Sequence, residues 1–153
     1  MHVFRLSRKR YAGELSGKGA AAFGARWNSP GVELIYTAES RALAMAEVFV
    51  HLSLAMLPDD FCMLTIDVPD SVTVSALDLM TLPANWADFP PNQLSRKAGD
   101  LFVAEREACV LKVPSAVVMG DFNYLINPGH VDFPLIRIAD VSDFTFDRRM
   151  IRQ

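Results

Sequence analysis

The largely apolar run over residues 2–6 (HVFRL), with polar positions at 2 and 5, reads as a short strand at the start of the chain. The segments LIYT, 61–68, 71–77, 109–113, 116–119, 133–138 and 144–146 also carry strand composition. Two stretches read as helices. The first begins at Ser40, an N-cap candidate, and is expected to run to residue 57, just ahead of Pro58. The second ends near residue 107 and starts at either Ser95 or Asp100, because Gly99 is a poor residue for a helix interior. Residues 82–91 are rich in Pro and Trp and read as irregular, and NYLINPGH reads as a loop built on an Asn-Pro-Gly turn. Many strands and two helices, without regular strand–helix alternation, predict an α+β fold. Its sheets are expected to be mixed or antiparallel with flanking helices, in a single domain over 1–153 with no repeat and no linker.

Between the first strand and LIYT lies GELSGKGAAAFGARWNSPG, which holds five of the eight glycines. Such a run is too flexible for a helix interior and too long for a turn, so it is expected to be a shaped loop of the kind that carries function. The helix from Ser40 is apolar at Leu43, Met45, Val48, Phe49, Val50, Leu52 and Leu54. At about 100° per residue, Ser40, Ala44, Glu47, His51 and Ala55 fall in one narrow stripe of small and polar residues. That stripe is either a solvated face or the wall of a cleft. In the second case Glu47 is a carboxylate on a rigid element beside apolar walls, where catalytic carboxylates belong. His51 reads as a structural neighbour rather than a catalyst.

Composition narrows the function classes. With 51% hydrophobic and 22% charged residues the 153-residue chain is not disordered. The apolar stretch over 42–57 is broken by Glu47 and His51 and falls short of the ~20 residues a bilayer span requires, and the N-terminus lacks a secretory pattern, so a cytoplasmic protein is expected. A net charge of −3 with no basic stripe argues against direct nucleic-acid binding. Cys62 and Cys109 lie in separate apolar runs with no paired metal-spaced ligands, so buried free thiols and no metal site are expected.

Five more polar residues stand out. Arg26 follows the glycine-rich run and offers a planar fork for a phosphate, or else stacks on Trp27 as a surface residue. Tyr36 lies in an apolar strand, as core or as ligand platform, and Ser115 follows Pro114 between two apolar runs with either a backbone or a ligand partner. Asn127 and His130 belong first to a turn. The chain has no GxSxG, Walker loop, HExxH or CxxC pair.

Taken together, GKGAAAFGARWNSPGVELIYTAESRALAMAEVFVHL, Gly99-Asp100 and LKVPSAVVMGDFNYLINPGHVDF resemble, in order and spacing, the RES-domain toxins. That family is named for an Arg, a Glu and a Ser and occurs in bacterial toxin–antitoxin pairs with an Xre-type antitoxin. Two departures are visible, Ala25 where the family more often has Gly and Phe102 where it often has Trp. The resemblance implies a fold similar to the ADP-ribosyltransferases and an activity on NAD⁺ as substrate, with no prosthetic group. It implies catalytic roles for Arg26, Glu47 and Ser115, and dinucleotide binding by Arg26, Tyr36 and Asn127. The expected partner is a protein antitoxin that covers the cleft in a hetero-oligomer, any DNA contact belonging to that partner.

Three functions fit: NAD⁺ degradation with water or phosphate as acceptor, ADP-ribose transfer to a host protein, and an inactive module that only binds an antitoxin. A ribonuclease fits poorly, since the histidines at 2, 51 and 130 are scattered and the charge is negative.

Overall fold

The computed structural model describes residues 1–53 and 57–151. Seven strands form one mixed sheet: β1 (His2–Arg8), β2 (Ile35–Ala38), β3 (Phe61–Asp67), β4 (Val74–Ala76), β5 (Val110–Pro114), β6 (Phe122–Ile126) and β7 (Arg137–Phe144). The order across the sheet is β4-β5-β6-β2-β1-β3-β7, and only the β4–β5 pair is parallel. Three helices join them: α1 (Lys18–Phe23), α2 (Arg41–Phe49) and α3 (Gln93–Glu105). The α+β class with a mixed sheet and flanking helices is as the sequence predicts. Among the described residues, no helix is long and apolar enough to cross a membrane.

Several local expectations are corrected. The glycine-rich run is not loop throughout, because three successive alanines support the six-residue α1, which Gly24 ends with φ of 70°. Since Gly24 takes that left-handed conformation and Ala25 does not, the methyl group at Ala25 is harmless. Helix α2 is capped as expected, with the Leu43 amide donating to Ser40 Oγ at 3.1 Å, but it ends at Phe49. The bulky run Val48-Phe49-Val50 is a poor helix former, and the chain tightens there, the amides of His51 and Leu52 donating to the carbonyls of Val48 and Phe49. Leu54 and Ala55, also expected on this helix, lie outside the described residues. Helix α3 starts at neither Ser95 nor Asp100; Asn92 caps it, accepting from the Leu94 amide at 2.8 Å.

Residues 116–119 form a turn rather than a strand, because Ser115 Oγ accepts the amides of Val117 and Val118. The strand instead falls at β6, inside the segment read as loop, and the turn begins only at Asn127. At 133–138, Pro134 lacks a donor and the chain makes a short 3₁₀ turn over Phe133–Leu135 before β7. Both cysteines are free and buried.

The core has two faces. On one, Val3, Ile35, Leu64, Ile66, Val110 and Ile126 pack with Val68, Val72 and Ile136. The opposite face carries two separate clusters. Helix α2 covers Leu6, Ala38, Phe61, Met63 and Phe146 with Leu43 and Ala44. Helix α3 and Trp27 cover Leu111, Val113 and Leu125 with Leu34 and Phe102.

Gly99, in the middle of α3, is required by this packing. A Cβ at that position would lie 1.7 Å from the Trp27 carbonyl oxygen. Gly→Ala in an ordinary helix interior stabilises by roughly 0.5–1 kcal/mol. Here the sign reverses: Gly99→Ala is expected to destabilise by about 1–3 kcal/mol, read as a lowered midpoint of urea unfolding.

Candidate active site

Strand β6 pairs on both sides, Asn123 lying opposite Ala38 of β2 and opposite Val113 of β5. Ala38 belongs to the cluster under α2 and Val113 to the cluster under α3, so Asn123 marks the seam between them. Polar groups converge at that seam. Glu47, from the last turn of α2, accepts two hydrogen bonds on the same oxygen, Oε1: from Ser115 Oγ at 2.8 Å and from Asn123 Nδ2 at 2.5 Å. Ser115 is buried, and its hydroxyl oxygen also accepts the amides of Val117 and Val118 at 3.1 and 3.0 Å. Those two bonds direct the serine proton to Glu47. In this arrangement the Ser115 hydroxyl is a donor that orients the carboxylate.

Arg26 approaches from the α3 side. Its Nη1 donates to the carbonyls of Trp86 at 2.6 Å and Asp88 at 3.1 Å, and its guanidinium lies 6.0 Å from the Trp86 ring centre. The stacking partner is thus Trp86 and not Trp27, whose ring is sealed in the core. Burial pulls the guanidinium below its ordinary pKa, opposed by the negative charge of Glu47 and then by Tyr36 and Asp88. Glu47 is close enough to act on Arg26 by charge, yet no ion pair joins them among the described residues.

The loop that carries Arg26 is tied down by a hub at Asn28, which is fully buried. Its Nδ2 donates to the carbonyls of Ala20 and Val32, each at 2.9 Å, and its Oδ1 accepts from Tyr36 Oη at 2.7 Å. Tyr36 Oη in turn accepts the Trp27 amide at 3.0 Å. Asp100 of α3 clamps the next residue, taking the Ser29 amide at 2.8 Å and the Ser29 hydroxyl at 2.6 Å.

The structure thus gathers Arg26, Tyr36, Glu47 and Ser115 along one seam. Asn127 is not brought to it: its Nδ2 donates to the Val103 carbonyl at 3.2 Å and its Oδ1 accepts the Gly129 amide at 2.9 Å, pinning α3 to the end of β6. His130 closes the same turn, its Nδ1 accepting the Asp132 amide, while His51 lies exposed beyond the end of α2. Asn123 and Asn28 are the members the sequence reading missed. A polar residue alternating with Leu125 in FNYLI was the available signal for Asn123, hidden by the Asn-Pro-Gly turn that follows it. Among the described residues, no cluster of metal-ligating side chains forms.

The RES domain family model matches residues 2–148. The chain belongs to the RES domain family. It is 40% identical to the Prs ADP-ribosylating toxin of Sphingobium sp. (strain YBL2), over 93% of this chain and 89% of that protein. It is 38% identical to Toxin Res of Pseudomonas putida (strain KT2440), over 98% of this chain and 99% of that protein. Its fold is similar to a chain in the crystal structure of the M. tuberculosis MbcT–MbcA toxin–antitoxin complex, with a TM-score of 0.74 at 21% identity, over 94% of this chain and 84% of that chain.

Burial raises the Tyr36 pKa well above its ordinary value of 10.0, against a smaller lowering by the Trp27 amide. A raised folded-state value means that stability is fully present below pH ~10 and falls as the unfolded chain's tyrosine ionises above it. Tyr36→Phe leaves Asn28 Oδ1 and the Trp27 amide without their partner. It is expected to destabilise by about 1–3 kcal/mol at pH 7 and to flatten the loss of stability above pH 10, measured by urea unfolding at both pH values.

Proposed function

We propose that this RES domain protein is the toxin of a toxin–antitoxin pair and cleaves the nicotinamide–ribose bond of NAD⁺, with water or phosphate taking up the ADP-ribose. The observation that carries this reading is the pair of unjoined charges, Arg26 and Glu47, held by separate tethers on opposite sides of one seam. A dinucleotide supplies a partner for each: an anionic diphosphate for the guanidinium and an electron-poor ribose for the carboxylate.

When the bond from ribose C1′ to the pyridinium nitrogen breaks, its electron pair leaves with nicotinamide, which becomes neutral. Positive charge develops on the ribose, and a carboxylate fixed beside it stabilises that charge without reorganising. Glu47 takes this role, oriented by Ser115. The acceptor then donates a lone pair to C1′ and loses a proton. Arg26 holds the diphosphate with the nitrogens not committed to Trp86 and Asp88. Tyr36 positions the Arg26 loop through its hydroxyl, and its half-buried ring is the surface offered to nicotinamide or its ribose.

A second reading keeps the same bond cleavage and hands ADP-ribose to a host protein. The similarity to a protein named as an ADP-ribosylating toxin favours it. The partner in either case is an antitoxin of the Xre type. Support for a protein partner comes from the fold's likeness to a chain in a toxin–antitoxin complex, and from the exposure of Phe23 and Phe89, at 85% and 81%, beside the segments that carry and anchor Arg26.

Purified protein is expected to release nicotinamide from NAD⁺, and Glu47→Gln and Arg26→Ala to release it at least about 100-fold more slowly while unfolding normally in urea. Undiminished release by Glu47→Gln removes the carboxylate from the reaction. A rate that depends on phosphate identifies phosphorolysis, and label transferred from NAD⁺ to a protein in cell extract identifies the second reading.

A further inference from the structure

Asn123 has no role in the reaction as set out above, yet it makes the shortest hydrogen bond at the seam, Nδ2 to Glu47 Oε1 at 2.5 Å. It stands on β6, which is paired on both flanks, whereas Ser115 stands on a turn. The nitrogen must face Glu47, because the reversed amide would set two acceptors against each other. That orientation leaves Oδ1 outside the bond to Glu47. Among the described residues neither Asn123 Oδ1 nor Glu47 Oε2 accepts a hydrogen bond. Neither is sealed from solvent: among the described residues, neither belongs to the sealed side-chain atoms that lack a hydrogen bond. One amide and one carboxylate therefore share a lock through Nδ2 and Oε1 and each present a free acceptor oxygen.

We propose that Asn123 both positions Glu47 and binds substrate, its Oδ1 and the Glu47 Oε2 forming a twin acceptor for the two hydroxyls of a vicinal diol. A sugar diol carries two donors on adjacent carbons, and hydroxyls bonded to an ionised and a neutral acceptor fix the ring's orientation. Diphosphate contacts alone would leave that ring free to turn. The proposal rests on the NAD⁺ reading for the identity of the diol, which is then the nicotinamide ribose. The charged and titratable groups around the lock are Arg26 opposite, with Tyr36 and Asp88 beside it, Glu39 on the Phe122 amide next to Asn123, and His51 beyond the end of α2.

The test compares wild type and Asn123→Ala on NAD⁺ and on NAD⁺ lacking the 2′- or the 3′-hydroxyl of the nicotinamide ribose. Wild type is expected to prefer NAD⁺ over at least one deoxy form by about tenfold or more in kcat/KM, and Asn123→Ala to lose both rate and that preference. A preference that survives in Asn123→Ala overturns the binding role. Nitrogen-15 spectra read the lock without turnover: an Asn123 side-chain amide proton bonded to a carboxylate lies downfield, and it is expected to move upfield in Glu47→Gln. An Asn123 amide signal indifferent to Glu47→Gln overturns the proposal even where NAD⁺ is cleaved. A responsive amide in a wild-type protein that releases no nicotinamide upholds the lock and overturns the NAD⁺ reading instead.

Discussion

The Trp27 carbonyl occupies the space where any side chain at position 99 would begin, so α3 lies directly on the backbone of the loop that follows α1. Most of the site depends on this contact. With the helix pressed so close, the Trp27 ring enters the core under α3, where it is 2% exposed and lies 5.9 Å from Trp86. Burial of one such indole contributes at most roughly 4–6 kcal/mol. Arg26 is the residue before Trp27, so its position follows from the buried ring. Asp100, one residue after Gly99, clamps Ser29 and fixes the loop on its other side. Arg96, one turn earlier on the helix, donates to the Ala25 carbonyl at 3.0 Å. A loop rich in glycine is thereby held at three successive points by a single helix face.

The same logic explains why Arg26 and Glu47 remain apart. Each has its own tethers, Arg26 the carbonyls of residues 86 and 88 and Glu47 the side chains of Ser115 and Asn123. Were they free to meet, an ion pair would form and neither charge would be available to a ligand. Neutral donors and acceptors hold each charge in place without cancelling it, and the desolvation this costs is supplied by the packing of the two clusters. The seam exists because α2 and α3 cover different strands, leaving Asn123 uncovered by either apolar cluster.

The sequence disclosed the parts whose signal is local. Ser40 as a cap, the helix it starts with Glu47 on it, and the α+β class could be read from spacing and residue type alone. Long-range packing overrode local preference elsewhere. Gly99 argued against a helix interior because the carbonyl it accommodates lies 72 positions earlier in the chain. Asn127 read first as a turn residue, with ligand binding only implied by the resemblance, and Asn123 as part of a loop, although both are strand-linked. What separates them is the partner each meets across the fold, Val103 for one and Glu47 for the other, and no periodicity encodes that. Ser115 shows a similar limit: the family pattern singles it out, but the direction of its hydroxyl, toward Glu47, depends on two amides that a sequence does not orient.

This last point bears on how the charge at the seam is distributed. Ser115 and Asn123 both donate to Oε1, and neither donates to Oε2. Two donors on one carboxylate oxygen draw negative charge toward it and fix the plane of the group, which leaves Oε2 as the less encumbered acceptor in a known direction. A carboxylate held by one donor on each oxygen would be equally rigid but would have no oxygen wholly unengaged. The asymmetry therefore holds Glu47 through one oxygen and leaves the other open. It comes at the boundary between a turn and a strand, where Ser115 and Asn123, eight positions apart in the chain, are brought to the same atom by the β5–β6 hairpin.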